Sequence, residues 1–326
     1  MRRLKVGVIG CANIAERMVL PAMRSMEEWE LAAVASRSLE KAKRFAGKFN
    51  CEPIENYESL LEREDIEAVY IPLPNALHYE WVMKALARGK HCLVEKPMGC
   101  DYASVKNMVE TARHHQVSLF ENFMFVYHSQ HDFIREKLKD NEIGEIRCFR
   151  CSFGFPPLSK DNIRYDKALG GGALLDAGGY LLKACQLMEG DGPPLTVTAA
   201  YLKIDPGTGV DIYGGAFLSN RQGLFAQIAF GFDNFYQCNY EIWGSKGKIT
   251  AHRAFTAGPG IKPKVVIEKQ DVYDDLLLPP DNHFVNILWA FYRSITQKDA
   301  AREGEYKKIL RQAALLKEVQ DNARKN

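Results

Sequence analysis

Short apolar runs alternate with amphipathic, charged segments over the first part of the chain. LKVGVIG (4–10), ELAAVAS (30–36), EAVYIPLP (67–74), KHCLVEKP (90–97) and QVSLFEN (116–122) read as strands. Between them, residues 13–25, SLEKAKRFAGKF (38–49), NALHYEWVMKALARG (75–89) and DYASVKNMVETARHH (101–115) carry apolar residues at helical spacing. Gly89 supplies a stop for the third of these helices. Strand and helix in regular alternation predict a doubly wound parallel sheet over 1–122.

The pattern changes after residue 122. A helix is expected at 128–139, a strand at 145–155, and a glycine-rich stretch leading into a helix at 170–189. Residues 196–270 become a series of β-type runs such as LFAQIAFGF and FYQCNYEIWG, with GSKG (244–247) as a hairpin turn. Helices at 281–297 and 303–323 finish the chain. The fold class is therefore α/β: an N-terminal doubly wound sheet, then an α+β domain at 123–326 with a large, mostly antiparallel sheet. One face of that sheet lacks covering helices. Its strands carry Phe217, Phe230, Phe232 and Tyr240, so self-association as a homodimer or homotetramer is expected there.

Composition narrows the function. The chain has 326 residues, enough for two cores. Its formal net charge is +2 with both signs interleaved, which argues against a nucleic-acid or anionic-membrane partner. No apolar run approaches the ~20 residues of a membrane span. MRRLKVGVIG passes straight into a strand without a signal-peptide core, so a cytoplasmic location is expected. The eight cysteines are scattered, as in a reduced compartment. Cys148 and Cys151 lie three apart on a strand and should point to opposite faces, half-buried, which disfavours a zinc or redox pair. His128, His131 and Asp132 lack further matching ligands, so no metal is expected. No nucleophile elbow, phosphate-binding P-loop or HExxH helix is present.

The first strand turns into the first helix through Gly10, Cys11, Ala12, Asn13 and Ile14. Gly10 takes the first position of a G-x-G-x-x-G fingerprint; Ala12 and Ala15 take the other two. Alone this is weak, but it follows a strand, opens a helix and begins a βαβ array. The helix start offers N–H groups to a pyrophosphate, with Asn13 as a candidate cap. The second strand ends in Ser36-Arg37 where an NAD enzyme places an acid. Arg37 would neutralise a 2′-phosphate and Ser36 would donate to it, so NADP(H) is the expected cofactor.

Glu95-Lys96-Pro97 stands at the carboxyl end of a parallel strand, the edge at which such sheets bind ligands. With the N-terminal turn GVIGCANIA and the stretch GGGALLDAGGY (170–180), it resembles the Gfo/Idh/MocA oxidoreductase family over nearly the whole chain. That resemblance implies a Rossmann domain, a C-terminal α/β domain and a nicotinamide cofactor. Within the family, AVASRS, YIPLPNALHYEW, ENFMFVYHSQH, DNIRYD and LGGGALLDAGGY look like the NADPH-dependent sugar 3-ketoreductases, which act on nucleotide-linked hexoses. Many members carry histidine in D-x-G-x-H; this chain has Asp176-x-Gly178-x-Tyr180. A phenol with a reference pKa near ~10 is a protonated donor at neutral pH, and a nearby Lys⁺ stabilises a developing alkoxide.

The expected catalytic set is Lys96, Tyr180 and Asp176, with the proton donor left open between Lys96 and Tyr180. Asp176, four residues before Tyr180 on the same helical face, would orient the sugar or a neighbouring donor. By resemblance Leu73, Asn75, His78, Glu95 and Arg164 lie near the cofactor, and Arg17 and Arg164 near phosphate or substrate. Tyr236 is a candidate for the nucleotide base. The glycines of 170–172 suggest room for backbone beside sugar or nicotinamide. The leading expectation is reduction of the 3-keto group of a nucleotide-linked deoxyhexose. Oxidation of an aldose or trans-dihydrodiol with NADP⁺ is the alternative within the family, and a non-catalytic dinucleotide sensor the alternative outside it.

Overall fold

The computed structural model describes residues 2–190, 192–297 and 300–325. The elements run β1 (Leu4–Ile9), α1 (Leu20–Arg24), β2 (Trp29–Ser36), α2 (Leu39–Phe49), β3 (Glu52–Glu55), α3 (Tyr57–Leu61), β4 (Ala68–Ile71), α4 (His78–Ala87), β5 (His91–Val94), α5 (Tyr102–His114) and β6 (Leu119–Glu121). There follow α6 (Ser129–Lys139), β7 (Ile146–Gly154), α7 (Gly179–Glu189), β8 (Thr196–Ile204), β9 (Asp211–Ser219), β10 (Phe225–Gly231), β11 (Gln237–Gly244), β12 (Gly247–His252), β13 (Lys264–Lys269), β14 (Val272–Leu277), α8 (His283–Thr296), α9 (Ala300–Asn322) and β15 (Ala323–Lys325).

These elements form two compact units. The first comprises 1–122 and 284–313; the second comprises 123–283 and 314–326. In the first unit six parallel strands run in the order β3-β2-β1-β4-β5-β6. The order reverses beside β1, so the carboxyl ends of β1 and β4 flank the switch point at which such sheets bind ligands. The sequence pattern did not reveal β3 and α3, because EPIE is short and its ends are exposed.

The helical residues after 283 were expected in the second domain, yet through Ala313 they belong to the first unit. The reason is aromatic and polar packing. Trp29 on β2 stacks on Phe291 at 5.6 Å and meets Tyr292 edge-on at 5.7 Å. Arg302 is buried, and its Nε donates to Ser118 Oγ and to the Ser294 carbonyl.

The second unit is built on a nine-stranded sheet in the order β14-β13-β12-β11-β7-β10-β9-β8-β15. It is mostly antiparallel, as expected, with parallel pairs at β7–β10 and β8–β15. The GSKG turn joins antiparallel β11 and β12. Phe230, Phe232 and Tyr240, expected on the uncovered face, are instead buried; only Phe217 of that set is exposed. Strand alternation puts Tyr201, Tyr213, Phe217 and Trp243 out instead. Cys148 and Cys151 are both buried, not half-buried, because Cys151 lies beside Cys185 of α7. All eight cysteines are free thiols. Among the described residues no helix is long and apolar enough to cross a membrane.

Candidate active-site residues

In the first unit, β1 turns sharply at Gly10, whose φ is +112°. A Cβ there would lie 2.8 Å from Leu73 Cδ2, so glycine is required both by the backbone angle and by the approach of Leu73. The Gly10 N–H donates to the Ala35 carbonyl, tying the turn to β2. Asn13 does not precede the helix as a cap: it already lies in the first helical turn, exposed, and the turn continues through Ile14. The next segment, Ala15–Val19, is a π-turn. Pro21 explains where it ends, since proline has no N–H to continue the ladder and the Leu20 N–H reaches back to Ala15. Arg17 is exposed on this turn.

At the end of β2, Ser36 is buried and Arg37 exposed. Ser36 Oγ accepts from the Ser38 N–H, and its hydroxyl is hydrogen-bonded to the half-buried Cys11 sulfur, an interaction that lowers the thiol pKa. The Arg37 guanidinium lies against the Tyr57 hydroxyl. Burial pushes the Cys11 thiol up, and the charges of Lys41 and Arg44 on α2 oppose that shift. The sequence reading missed these two lysine and arginine contributions, because on an amphipathic helix they look like ordinary solvated residues. No acid occupies 35–38. This turn therefore fits an anionic dinucleotide, with the cations Arg37, Lys41 and Arg44 at the β2 end.

His78 and Glu95 were expected to contact the cofactor, and the structure assigns both to internal support. His78 is fully buried. Its Nδ1 faces the Pro97 carbonyl at 2.9 Å and its Nε2 the Leu73 carbonyl at 2.8 Å, so no ring nitrogen is left for a ligand. Burial lowers its pKa. The ring thus braces the Lys96–Pro97 turn, whose peptide bond is cis, against the end of β4. Glu95 Oε1 accepts from Tyr70 Oη and from Asn122 Nδ2, each at 2.6 Å, and burial raises its pKa. Between these two braces Lys96 and Asn75 are half-buried at the strand ends.

In the second unit the glycine run packs closely against the chain itself. A Cβ on Gly171 would lie 2.8 Å from the Asp166 carbonyl oxygen and closer still to that of Arg164. Gly172, with φ +120°, donates its N–H to the Arg164 carbonyl at 2.9 Å and would collide with the Asp211 carboxylate if substituted. Gly171 and Gly172 make room for the chain's own Arg164 and Asp166 carbonyls and for Asp211. Asp211, from β9, accepts the Leu174 N–H at 2.6 Å and caps the helix start.

That helix opens as a π-turn, Leu174–Gly178, before α7. Gly178 brings it down on β10: a Cβ would meet the Phe230 ring at 3.1 Å. Asp176 and Tyr180 straddle the change from π to α register, a recurrent feature of functional helices. Arg164 Nε donates to Asp176 Oδ2 at 2.6 Å. Arg164 is raised mainly by the Asp176 charge and also by Tyr180 nearby. Tyr180 is 6% exposed, with its ring among Phe123, Phe125, Phe153 and Phe255 at 5.2–6.1 Å. Its hydroxyl points at Met124 Sδ, 4.0 Å away. Lys183, one turn further on, is buried with its ammonium 5.5 Å from the Phe123 ring, and nothing in the sequence pattern distinguished it. Arg164 therefore joins Asp176 and Tyr180 within the second unit.

Residues 4–123 match the model of the oxidoreductase family with NAD-binding Rossmann fold, and residues 131–250 match the GFO/IDH/MocA C-terminal domain. This chain belongs to the Gfo/Idh/MocA oxidoreductase family. Within the Gfo/Idh/MocA family it is 42% identical over 321 residues to the dTDP-3,4-didehydro-2,6-dideoxy-alpha-D-glucose 3-reductase of Actinomadura kijaniata, covering 98% of this chain and 96% of that protein. It is 41% identical to the enzyme of the same name from Saccharopolyspora spinosa, covering 97% and 96%. The crystal structure of a 3-ketoreductase from Actinomadura kijaniata with NADP and TDP-benzene superposes with a TM-score of 0.95 at 40% identity, over 99% of each chain. Structures of variants of that ketoreductase with tyrosine changed to phenylalanine and lysine to alanine are similar too.

Proposed function

We propose that this chain reduces the 3-keto group of a dTDP-linked dideoxyhexose with NADPH. The observation that carries the reading is likeness over the full length to 3-reductases of such sugars, joined to a tyrosine where many family members have histidine.

NADPH, when bound, supplies the hydride. Gly10 and the helix start after it hold the pyrophosphate, and Arg37, with Lys41 and Arg44 behind it, holds the 2′-phosphate. As the ketone carbon is reduced, its oxygen becomes an alkoxide and must gain a proton. Tyr180 Oη gives that proton, its hydroxyl being the acidic group at the end of an otherwise apolar cage. Lys96 carries the positive charge that stabilises the oxyanion. A non-catalytic sensor would need neither group. Dehydrogenation of a trans-dihydrodiol is less favoured, because the mouse enzyme of that activity is 29% identical.

The chain also self-associates, on this reading, through the outward face of the large sheet. Tyr201, Tyr213, Phe217 and Trp243 stand exposed there, and Phe217 stacks on Phe225 at 5.3 Å. Light scattering should find a dimer or tetramer at micromolar concentration; a monomer would remove this part. Free thiols throughout agree with a cytoplasmic location.

The deciding experiment follows NADPH oxidation with a dTDP-linked 3,4-diketo-dideoxyhexose, a 4-keto nucleotide sugar, free ketoses and a trans-dihydrodiol with NADP⁺. Turnover of the first alone, giving a 3-hydroxy product, is expected. Preference for a free sugar or the diol would overturn the assignment.

A further inference from the structure

Helix α7 buries a charge that the reaction above does not use. Every residue from Gly179 to Cys185 is buried, and among Leu181, Leu182, Ala184 and Cys185 stands Lys183, only 7% exposed. Lysine is seldom buried to this extent, and an apolar side chain of like volume costs the interior less. A lysine on a helix surface usually runs its stem along apolar neighbours and leaves its head in water. Here the ammonium is turned inward instead, 5.5 Å from the centre of the Phe123 ring, which is itself 1% exposed. Packing alone gives no reason to keep a charge at this position.

The Phe123 ring leads directly to Tyr180. The two rings meet edge-on at 5.4 Å with their planes 87° apart. Lys183 also follows Tyr180 by three residues, and positions i and i+3 of a helix are neighbours on one face. The other polar groups about the phenol are Asp176, matched by Arg164 at 2.6 Å, and Met124 Sδ, a weak acceptor 4.0 Å from the hydroxyl. Behind the aromatic cage lie titratable groups that burial keeps neutral. His131, against Phe125, is lowered to about 3. The Cys151 thiol, facing the Leu181 carbonyl, and Tyr240, beside Phe255, are both raised.

We infer that Lys183 is a positioning residue for proton transfer from Tyr180: its ammonium holds the Phe123 ring that walls the phenol, and its charge favours the phenolate left behind. In that step NADPH gives hydride to the ketone carbon and the Tyr180 O–H bond breaks. The proton forms the hydroxyl of the sugar alcohol, and the electron pair stays on the phenolate oxygen. A positive charge acts on a neighbouring anion more strongly in an apolar cage than in water, and it favours the charged form of that neighbour. The inference rests on the reading above that Tyr180 is the donor. Lys96, the cation of the oxyanion in that reading, is a separate group.

The test compares Lys183→Met and Lys183→Arg in the full-length protein, with NADPH and whichever keto-sugar the wild type reduces. Lys183→Met keeps the length of the side chain and removes its charge, so melting temperature should hold or rise and NADPH affinity should stay unchanged. Its kcat should fall about tenfold or more, and the basic limb of the kcat–pH profile, where the phenol loses its proton, should move up by about one pH unit. Lys183→Arg should recover most of kcat and return the limb toward its wild-type position. Wild-type kcat in Lys183→Met, or an equal loss in both variants with the limb unmoved, would overturn the inference and leave Lys183 a packing residue. On a Tyr180→Phe background Lys183→Met should cost nothing more, and a full further loss would show that it acts elsewhere. Wild-type turnover in Tyr180→Phe alone would instead remove Tyr180 as the donor, a failure distinct from that of Lys183.

Discussion

Arg164 grips Asp176, with guanidinium Nε 2.6 Å from carboxylate Oδ2, one helical turn before Tyr180. The pair is partly sheltered, Asp176 more than Arg164, so its loss should show in chemistry more than in folding. Asp176→Asn and Arg164→Gln should each lower kcat/KM by about ten- to a hundredfold, the cost of misplacing reacting groups. The double variant should be no worse than the more damaged single one, because both remove the same contact. Additive losses would show that the two residues act separately.

Tyr180→Phe keeps the ring in its aromatic cage and removes only the hydroxyl. Melting temperature should hold while kcat falls by about 10²–10⁴-fold. Lys96→Ala should cost about 10²-fold or more, as expected of a lost oxyanion partner. NADPH affinity, read by fluorescence titration, should stay within error in Tyr180→Phe. Turnover near wild type in either variant would remove that residue from the mechanism.

Arg37 carries the cofactor choice. Arg37→Ala should weaken NADPH about tenfold or more and leave NADH unchanged, since only the former has the 2′-phosphate. Raising the salt concentration should narrow the difference in wild type. Equal losses for both cofactors would assign Arg37 a structural role against Tyr57.

Stability should fall in mild acid. His131 and His283 are buried in the second unit, and desolvation pushes both down to about 3; His128 beside them is lowered as well. Asp281 opposes the shift at His128 and His283, whereas Arg135 adds to it at His131. A histidine held neutral in the fold titrates near 6.5 when unfolded, so the unfolded chain binds more protons below that pH. The stabilisation is whole above about pH 6.5 and drains as pH falls toward 3. Between pH 7.5 and 5 the loss should be about 2 kcal/mol for each of the two strongly shifted histidines. Urea midpoints at those pH values measure it, and an unchanged midpoint would rule it out.

Much was legible in the linear chain because it depends on local periodicity. Strand–helix alternation specified the parallel sheet, and Gly10, Ala12 and the acid-free Ser36-Arg37 specified the kind of ligand its first turn takes. Glu95-Lys96-Pro97 and Asp176-x-Gly178-x-Tyr180 pointed to the residues of the chemistry. What local pattern cannot encode is which atom fills the space that a residue leaves or faces. A glycine looks the same in sequence whether it makes way for a ligand or for the Arg164 carbonyl, and His78 and Glu95 look like ligand contacts until their partners 2.6–2.9 Å away are known. Packing between residues far apart in the chain also returned α8 to Trp29, buried Phe230, Phe232 and Tyr240, and set Asp211 at the head of the Tyr180 helix. The sequence by itself determined the fold class, through periodicity, and made Lys96, Asp176 and Tyr180 the candidates for the chemistry, through the family resemblance. Only the tertiary structure decided which polar groups support one another, such as His78 on Pro97 and Arg164 on Asp176, because hydrogen-bond partners are set by proximity in space.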